Sequence, residues 1–221
     1  MKSRLQTILS YSAALCVAVA VTGFVWWPRS PADLGQAGSR NAGELIRRWQ
    51  AGELIRRWQA GDIVALVRHT ERCDRSSNPC SGPADGITDL GTQAAKALGQ
   101  DFEQLGMAQV DVLTSPITRT AQTSHFMFGK EAITQDWLAS CGKALPNEVV
   151  AHKRTHHNLL LVTHSGCISD FEAQTGFPHA KTSEYGSVLF VRVDSNGQLQ
   201  VLGLVNTDGW PVVLKKTHAF K

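Results

Sequence analysis

The chain has 221 residues, 43% hydrophobic and 19% charged, enough to bury a substantial core and too apolar for general disorder. Its net charge is +3, and Lys2 and Arg4 precede the first apolar run, so basic and acidic side chains almost balance over the remainder. No basic stripe with interleaved aromatics is present, so no nucleic-acid partner is expected, and an anionic ligand must be met by a local cluster.

Residues 8–27, "ILSYSAALCVAVAVTGFVWW", form a run about as long as the 20 apolar residues that cross a bilayer as a helix. The positive residues ahead of it would keep its start in the cytoplasm and place the rest across the membrane. A signal anchor is the favoured reading of residues 1–27, and a cleavable signal peptide the other, since Ala18-Val19-Ala20 has the small-x-small form. Either way the rest is expected to be exported. The expected location is periplasmic, with anchoring in the inner membrane by residues 8–27.

Residues 28–41 are rich in Pro, Gly and Ser and read as a linker. An exact tandem repeat follows, "AGELIRRWQ" at 42–50 and again at 51–59. Nine residues turn a helix by about 900°, half a turn net, so the copies would face opposite sides and no single apolar stripe could use both. Residues 28–61 are therefore read as a spacer, and 62–221 as the folded domain.

From residue 62 the pattern alternates. "IVALVRH" is a short apolar run suited to a strand buried on both faces. "TDLGTQAAKALGQDFEQLG" then predicts a helix with Leu90, Ala94, Leu98, Phe102 and Leu105 near one face. "QVDVLTSP" predicts a second strand and "ITRTAQTSHFMF" the next helix. "NLLLVTHS" repeats the first strand's form, and "GCISDFEAQTG" follows it. "SVLFVRVDSNGQLQVLGLV" is a pair of strands around Asn196-Gly197, a hairpin signal. The sum is an α/β fold, a mainly parallel sheet with helices on both faces and a C-terminal β-hairpin.

Four cysteines lie outside the first apolar run: Cys73, Cys80, Cys141 and Cys167. In an oxidising compartment an even number suggests two disulfides with three possible connectivities. Cys73 and Cys80 bracket a polar loop and are the easiest local pair, which leaves Cys141 with Cys167. No metal-ligand spacing accompanies them, and neither a metal nor another cofactor is expected.

Three strand predictions end in chemistry. The first ends in Arg68-His69, the second in Ser115 with Arg119 one helical turn on, and the third in His164-Ser165. In a parallel α/β sheet, ligands bind outside the carboxyl ends of the strands. Arginine forks suit phosphate or carboxylate oxygens, and a neutral imidazole is a competent nucleophile.

These residues resemble the histidine phosphatase (phosphoglycerate-mutase-like) superfamily. "LVRHTER" supplies its Arg-His pair, "SPITRTAQT" its S-x-x-x-R-x-x-Q-T segment, and "LVTHSG" its later histidine. The resemblance runs from about residue 62 to 205. Within the superfamily, "RHTERCDRSSNPC", "DGIT", "GTQ" and "CG" at 141–142 are similar to the Ais-type lipopolysaccharide core heptose(II)-phosphate phosphatases.

The resemblance implies a phosphoric monoester hydrolase in which His69 attacks phosphorus and becomes a phosphohistidine. Arg68, Arg119 and His164 would hold the phosphoryl oxygens. Ser115 would shape the turn or touch the phosphate, and Arg75, with Arg72, would extend the pocket or face solvent. The glutamate that protonates the leaving oxygen in the mutase branch is replaced by Ser140. Glu71 is the first choice for the missing acid, with Asp74 and Glu184 behind it. The expected partner is a phosphorylated small molecule or envelope glycan. The alternatives are a phosphohistidine or phosphoprotein phosphatase, or a phosphate-binding envelope protein without catalysis.

Overall fold

The computed structural model describes residues 30–36, 42–80 and 82–215, so the run 8–27 and its reading as anchor or signal lie outside the described residues. Among the described residues no helix is long and apolar enough to cross a membrane. The elements in order are α1 (Ala42–Ala60), β1 (Ile63–Arg68), α2 (Asp89–Leu105), β2 (Val110–Thr114), α3 (Thr118–Phe128) and β3 (Ile133–Thr134). There follow α4 (Leu145–His152), β4 (Asn158–Thr163), α5 (Ser165–Gln174), β5 (Val188–Val193), β6 (Leu199–Val205) and α6 (Trp210–Leu214).

The six strands make one mixed sheet in the order β3-β2-β4-β1-β5-β6. The first four in that order run parallel, while β5 and β6 are antiparallel additions on the other side of β1. Strand alternation divides the core in two. Ala65 and Val67 of β1 face a cluster with α1, α2 and α6, whereas Val64 and Leu66 face one with α4 and α5. The sheet is thus covered on both sides, which is why β1 and β4 read as unbroken apolar runs. The hairpin turns at Gly197, φ 76°, with Asp194 Oδ1 accepting from the backbone N–H of Asn196 and Gln198 at 2.8 and 2.9 Å.

The packed body begins before residue 62. Both copies of the repeat lie in α1, and from the second copy Ala51, Leu54 and Trp58 enter the core. Trp58 sits 5.5 Å from the ring of Phe102 and donates its indole N–H to the Gly106 carbonyl at 2.8 Å. Such a ring pair contributes about 1 kcal/mol beyond burial. Further upstream, Leu34 is buried and its N–H donates to Leu204 O at 2.8 Å. Residues 32–34 and 51–58 therefore belong to the body, and the spacer reading of 28–61 is corrected there.

The buried face of α2 also differs from the expectation. Leu98 and Phe102 are in the core, but Leu90 is 51% exposed, and the rest of the face is Gly91, Ala95 and Gly99. Small residues are needed because neighbouring backbone comes in close. A Cβ at Gly99 would stand 2.0 Å from the Met127 carbonyl oxygen of α3, and one at Gly91 2.6 Å from that of Glu71. This close approach brings α3 and the β1 loop to the same edge of the sheet.

Candidate active site

Register alone sets the first part of the site. Arg68 pairs with Thr163 across β1 and β4, and Thr114 with Val162 across β2 and β4, so three strands end abreast. The ladder extends one step further, with His69 N–H donating to Thr163 O and Ser115 N–H to Val162 O, each at 3.0 Å. His69, Ser115 and His164 are thereby delivered to one edge. Helix α5 starts at Ser165, immediately after His164, and presents its amino end there.

Arg119 completes the group from the first turn of α3. Its Nε–H donates to Nε2 of His69 and its Nη2 to Nδ1 of His164, both at 3.2 Å. Two buried threonines hold it there. Thr70 N–H donates to Thr123 Oγ1 at 3.1 Å, and Thr123 Oγ1 donates to the Arg119 carbonyl at 2.7 Å. The end of β1 and the first turn of α3 are thus fixed to each other by hydrogen bonds.

These contacts define the tautomers. A carbonyl can only accept, so the 2.8 Å contact between His69 Nδ1 and Thr70 O puts the proton on Nδ1. Nε2, facing a guanidinium donor, is left with its lone pair. For His164 the same logic leaves Nδ1 unprotonated, and Nε2–H donates to Ser115 Oγ at 3.0 Å. Burial foremost, with Arg119, His164 and Arg68 beside it, pushes His69 down to about 3 against the pull of the Thr70 carbonyl. Burial, then Arg119 and Arg72, pushes His164 down to about 4. Both imidazoles are neutral at physiological pH.

Arg68 approaches from the other side. Its guanidinium lies 3.9 Å over the Tyr185 ring and donates to the Ser183 carbonyl, while its buried Nε has no hydrogen-bond partner. Burial lowers its hold on its proton, and Arg72 and Arg75 add to that against the opposing effect of Tyr185. Tyr185 also stands 5.7 Å from the His69 ring, and so neighbours both Arg68 and His69. Nothing in the sequence distinguished Tyr185 from an ordinary loop tyrosine. Thr123 had a signal, as the last residue of S-x-x-x-R-x-x-Q-T. Gln122 of that segment accepts from Ile87 N–H at 2.9 Å and fastens the loop after β1 to α3.

Glu71 does not meet the requirement for a general acid. Its carboxylate accepts from Asn78 Nδ2 at 2.9 and 3.2 Å and from Thr88 Oγ1 at 2.8 Å. Asn78 first and then Thr88 hold it below the ordinary glutamate range, so it stays ionised. Its carboxylate is committed to the loop after β1. Asp74 is likewise lowered, by its pairing with Arg72. Glu184 is exposed, and its backbone carbonyl accepts from Ser187. Arg75 is exposed on the short turn Cys73–Arg75. A carboxylate that sequence reading passed over, Asp85, accepts from Thr118 Oγ1 at 2.6 Å, one residue before Arg119.

Both disulfides are formed, Cys73–Cys80 and Cys141–Cys167. The second walls an open cleft of ≈ 470 Å³ whose other lining includes Arg119, His164, Ser140 and Asp170. The cleft opens beside His164 and Arg119. Among the described residues no group of three or more His, Cys, Asp or Glu side chains is arranged to hold a metal ion.

Residues 64–139 match the model of the Histidine phosphatase superfamily (branch 1). The lipopolysaccharide core heptose(II)-phosphate phosphatases of Escherichia coli (strain K12 / DH10B) and Escherichia coli O8 (strain IAI1) are each 34% identical over 110 residues, 48% of this chain and 54% of theirs. The chain thus spans about half the length of these curated relatives. A solved structure of the protein histidine phosphatase SixA complexed with tungstate shares the fold, with TM-score 0.54 and 16% identity over 66% of this chain and 97% of that one. The matched segment and the sheet with its strand-end histidines and arginines make this chain similar to the histidine phosphatase superfamily over residues 64–139.

Proposed function

We propose that the chain is a phosphatase that hydrolyses a phosphomonoester in two steps through a phosphohistidine. The observation that supports this best is the state of His69, with Nδ1–H fixed on the Thr70 carbonyl and an unprotonated Nε2 facing Arg119. In the first step Nε2 forms a bond to phosphorus as the ester oxygen leaves with the electron pair of the P–O bond. In the second, water attacks phosphorus, the P–N bond breaks, and imidazole and phosphate are released. Phosphoryl transfer needs chiefly positioning and stabilisation of charge on three equatorial oxygens. Arg68, Arg119 and His164 are the groups to supply it, with Ser115 orienting His164. An arriving phosphate dianion favours the imidazolium form of His164, which then donates to a phosphoryl oxygen.

The proton for the leaving oxygen is assigned to Asp85 in place of Glu71. Asp85 lies near Arg119 and accepts one side-chain hydrogen bond, from Thr118 Oγ1, where the Glu71 carboxylate accepts from both Asn78 and Thr88. The substrate is read as a phosphorylated sugar of the cell envelope, because the curated relatives are named for lipopolysaccharide core heptose phosphate. Export through the run 8–27 and the paired cysteines fit that compartment. The deciding experiment is turnover of para-nitrophenyl phosphate with acid-quench trapping of labelled phosphate on the protein. Label on His69, and loss of turnover in His69→Ala, is the expected result. Phosphate binding without turnover of any phosphomonoester would establish the non-catalytic alternative.

A further inference from the structure

The turn after the nucleophile carries two arginines that the transfer step does not use. Arg72 and the short helical turn Cys73–Arg75 hold no buried residue of either core. They are nevertheless fastened from several directions. Cys73 is bonded to Cys80, and its N–H donates to Gly86 O at 3.0 Å. Arg72 forms a β-bridge with Ile87, which is itself held by Gln122 of α3. Thr88 N–H donates to Glu71 O at 2.9 Å, and the Glu71 carboxylate ties Asn78 and Thr88 together.

Fixing a surface residue costs about 1–2 kcal/mol of backbone entropy, and here no core burial returns it. The fastening is understood if the turn holds something in place, and what it carries is two guanidinium groups. Their charges act on Arg68 and Arg119, and that of Arg72 acts on His164 as well. Arg72 and Arg75 thus lie near enough to Arg68 and Arg119 for the four charges to bear on one another. Asp74 takes both a terminal nitrogen and Nε of Arg72, and Asp85 bears on Arg72 and Arg119 from further away. A side-by-side fork of this kind is the geometry in which arginine takes a phosphate or a carboxylate.

We propose that Arg72 and Arg75 form a second anion subsite beside the transfer site, taking a second phosphate or carboxylate of the same substrate, which displaces Asp74 from Arg72. This rests on the phosphatase reading and narrows it: the preferred substrate is a sugar bearing two anionic groups. The Cys73–Cys80 bond preorganises the subsite, so its affinity depends on that bond.

The test compares fructose bisphosphate with fructose monophosphate. Wild type should show kcat/KM higher for the bisphosphate by about tenfold or more, as one added ion-pair contact at a partly desolvated site provides. In Arg72→Gln/Arg75→Gln, and less so in Arg75→Gln alone, that ratio should fall toward one. Cys73→Ser/Cys80→Ser should lower it through KM, and Asp74→Asn should raise it. A wild-type ratio near one, or a ratio untouched by the arginine substitutions, would overturn the subsite. If no ester is turned over, the phosphatase reading has failed. Calorimetric binding of the same two sugars then still tests the subsite, because only a second anion contact makes the bisphosphate bind more tightly.

Discussion

Arg119 and His69 are joined nitrogen to nitrogen, the guanidinium Nε–H pointing at the imidazole lone pair at 3.2 Å, while the same arginine holds His164 through Nη2. One fork therefore organises both histidines. Lysine can offer a charge but not two donors at fixed spacing, so Arg119→Lys should lose about 100-fold or more in kcat/KM. Removing the charge has a separate signature. In Arg119→Gln both imidazoles should titrate at higher pH than in wild type, read by NMR of the ring protons. Unmoved titrations would contradict the arrangement described.

The pH dependence follows from the same burial. With His69 near 3 and His164 near 4, both are already unprotonated at mild acid pH. Because His164 takes up a proton as the phosphate dianion binds, kcat/KM reckoned on the dianion should rise as pH falls from about 8 to about 5 and turn over only near pH 4. An inflection at the ordinary histidine value would show that the site is wetter or less cationic than it is drawn here.

Asp85 as proton donor makes a prediction that depends on the leaving group. A nitrophenolate leaves unaided, whereas a sugar alkoxide needs its proton. Asp85→Asn should therefore cost about 100-fold or more on a sugar phosphate and only a few-fold on para-nitrophenyl phosphate. Equal losses on both would remove Asp85 from the role.

The fold was legible where periodicity was strong. β1 and β4 run apolar up to Val67 and Val162 and then turn polar at Arg68-His69 and Thr163-His164, because the sheet is buried on both faces and the site begins where it ends. The repeat helix was not legible in the same way. Its two copies are half a turn apart, so no stripe marks the face on which Ala51, Leu54 and Trp58 enter the core. β3, only Ile133–Thr134, is too short to show a period. In the site, the two histidines and two arginines could be read from strand ends, but the acid could not. Glu71 is two residues from His69 in sequence, yet its side chain is committed to Asn78 and Thr88, and adjacency carries no information on direction.

Glu172 gives a stability prediction independent of the chemistry. It is buried on α5, its Oε2 has no hydrogen-bond partner, and burial pushes it up to about 7. Between its unfolded value near 4.5 and about 7, the native protein keeps a proton that the unfolded chain has lost, which favours the fold at low pH. That advantage disappears as pH rises through about 7. Glu172→Gln, isosteric and uncharged, should leave Tm unchanged near pH 4 and raise it near pH 8, by about 2–4 °C per kcal/mol recovered. Equal melting at both pH values would show that the carboxyl is better solvated than its position implies.

The two disulfides should differ in what they contribute. Cys141–Cys167 closes a separation of 26 residues and joins the 3₁₀ turn region beside Ser140 to α5, with Cys167 in the core. Cys73–Cys80 closes a separation of 7 on an exposed loop. Loop-closure entropy assigns about 3.5 kcal/mol to the longer loop and about 2.4 kcal/mol to the shorter. Paired serine substitutions should therefore lower Tm more at Cys141/Cys167. That pair also walls the cleft beside Arg119 and His164, so its loss should raise KM for phosphomonoesters generally. Loss of Cys73/Cys80 should instead weaken the doubly anionic substrate selectively. Thermal melting and the two KM values, measured on both variants, separate a scaffold disulfide from one that sets specificity. The reverse pattern would reassign both.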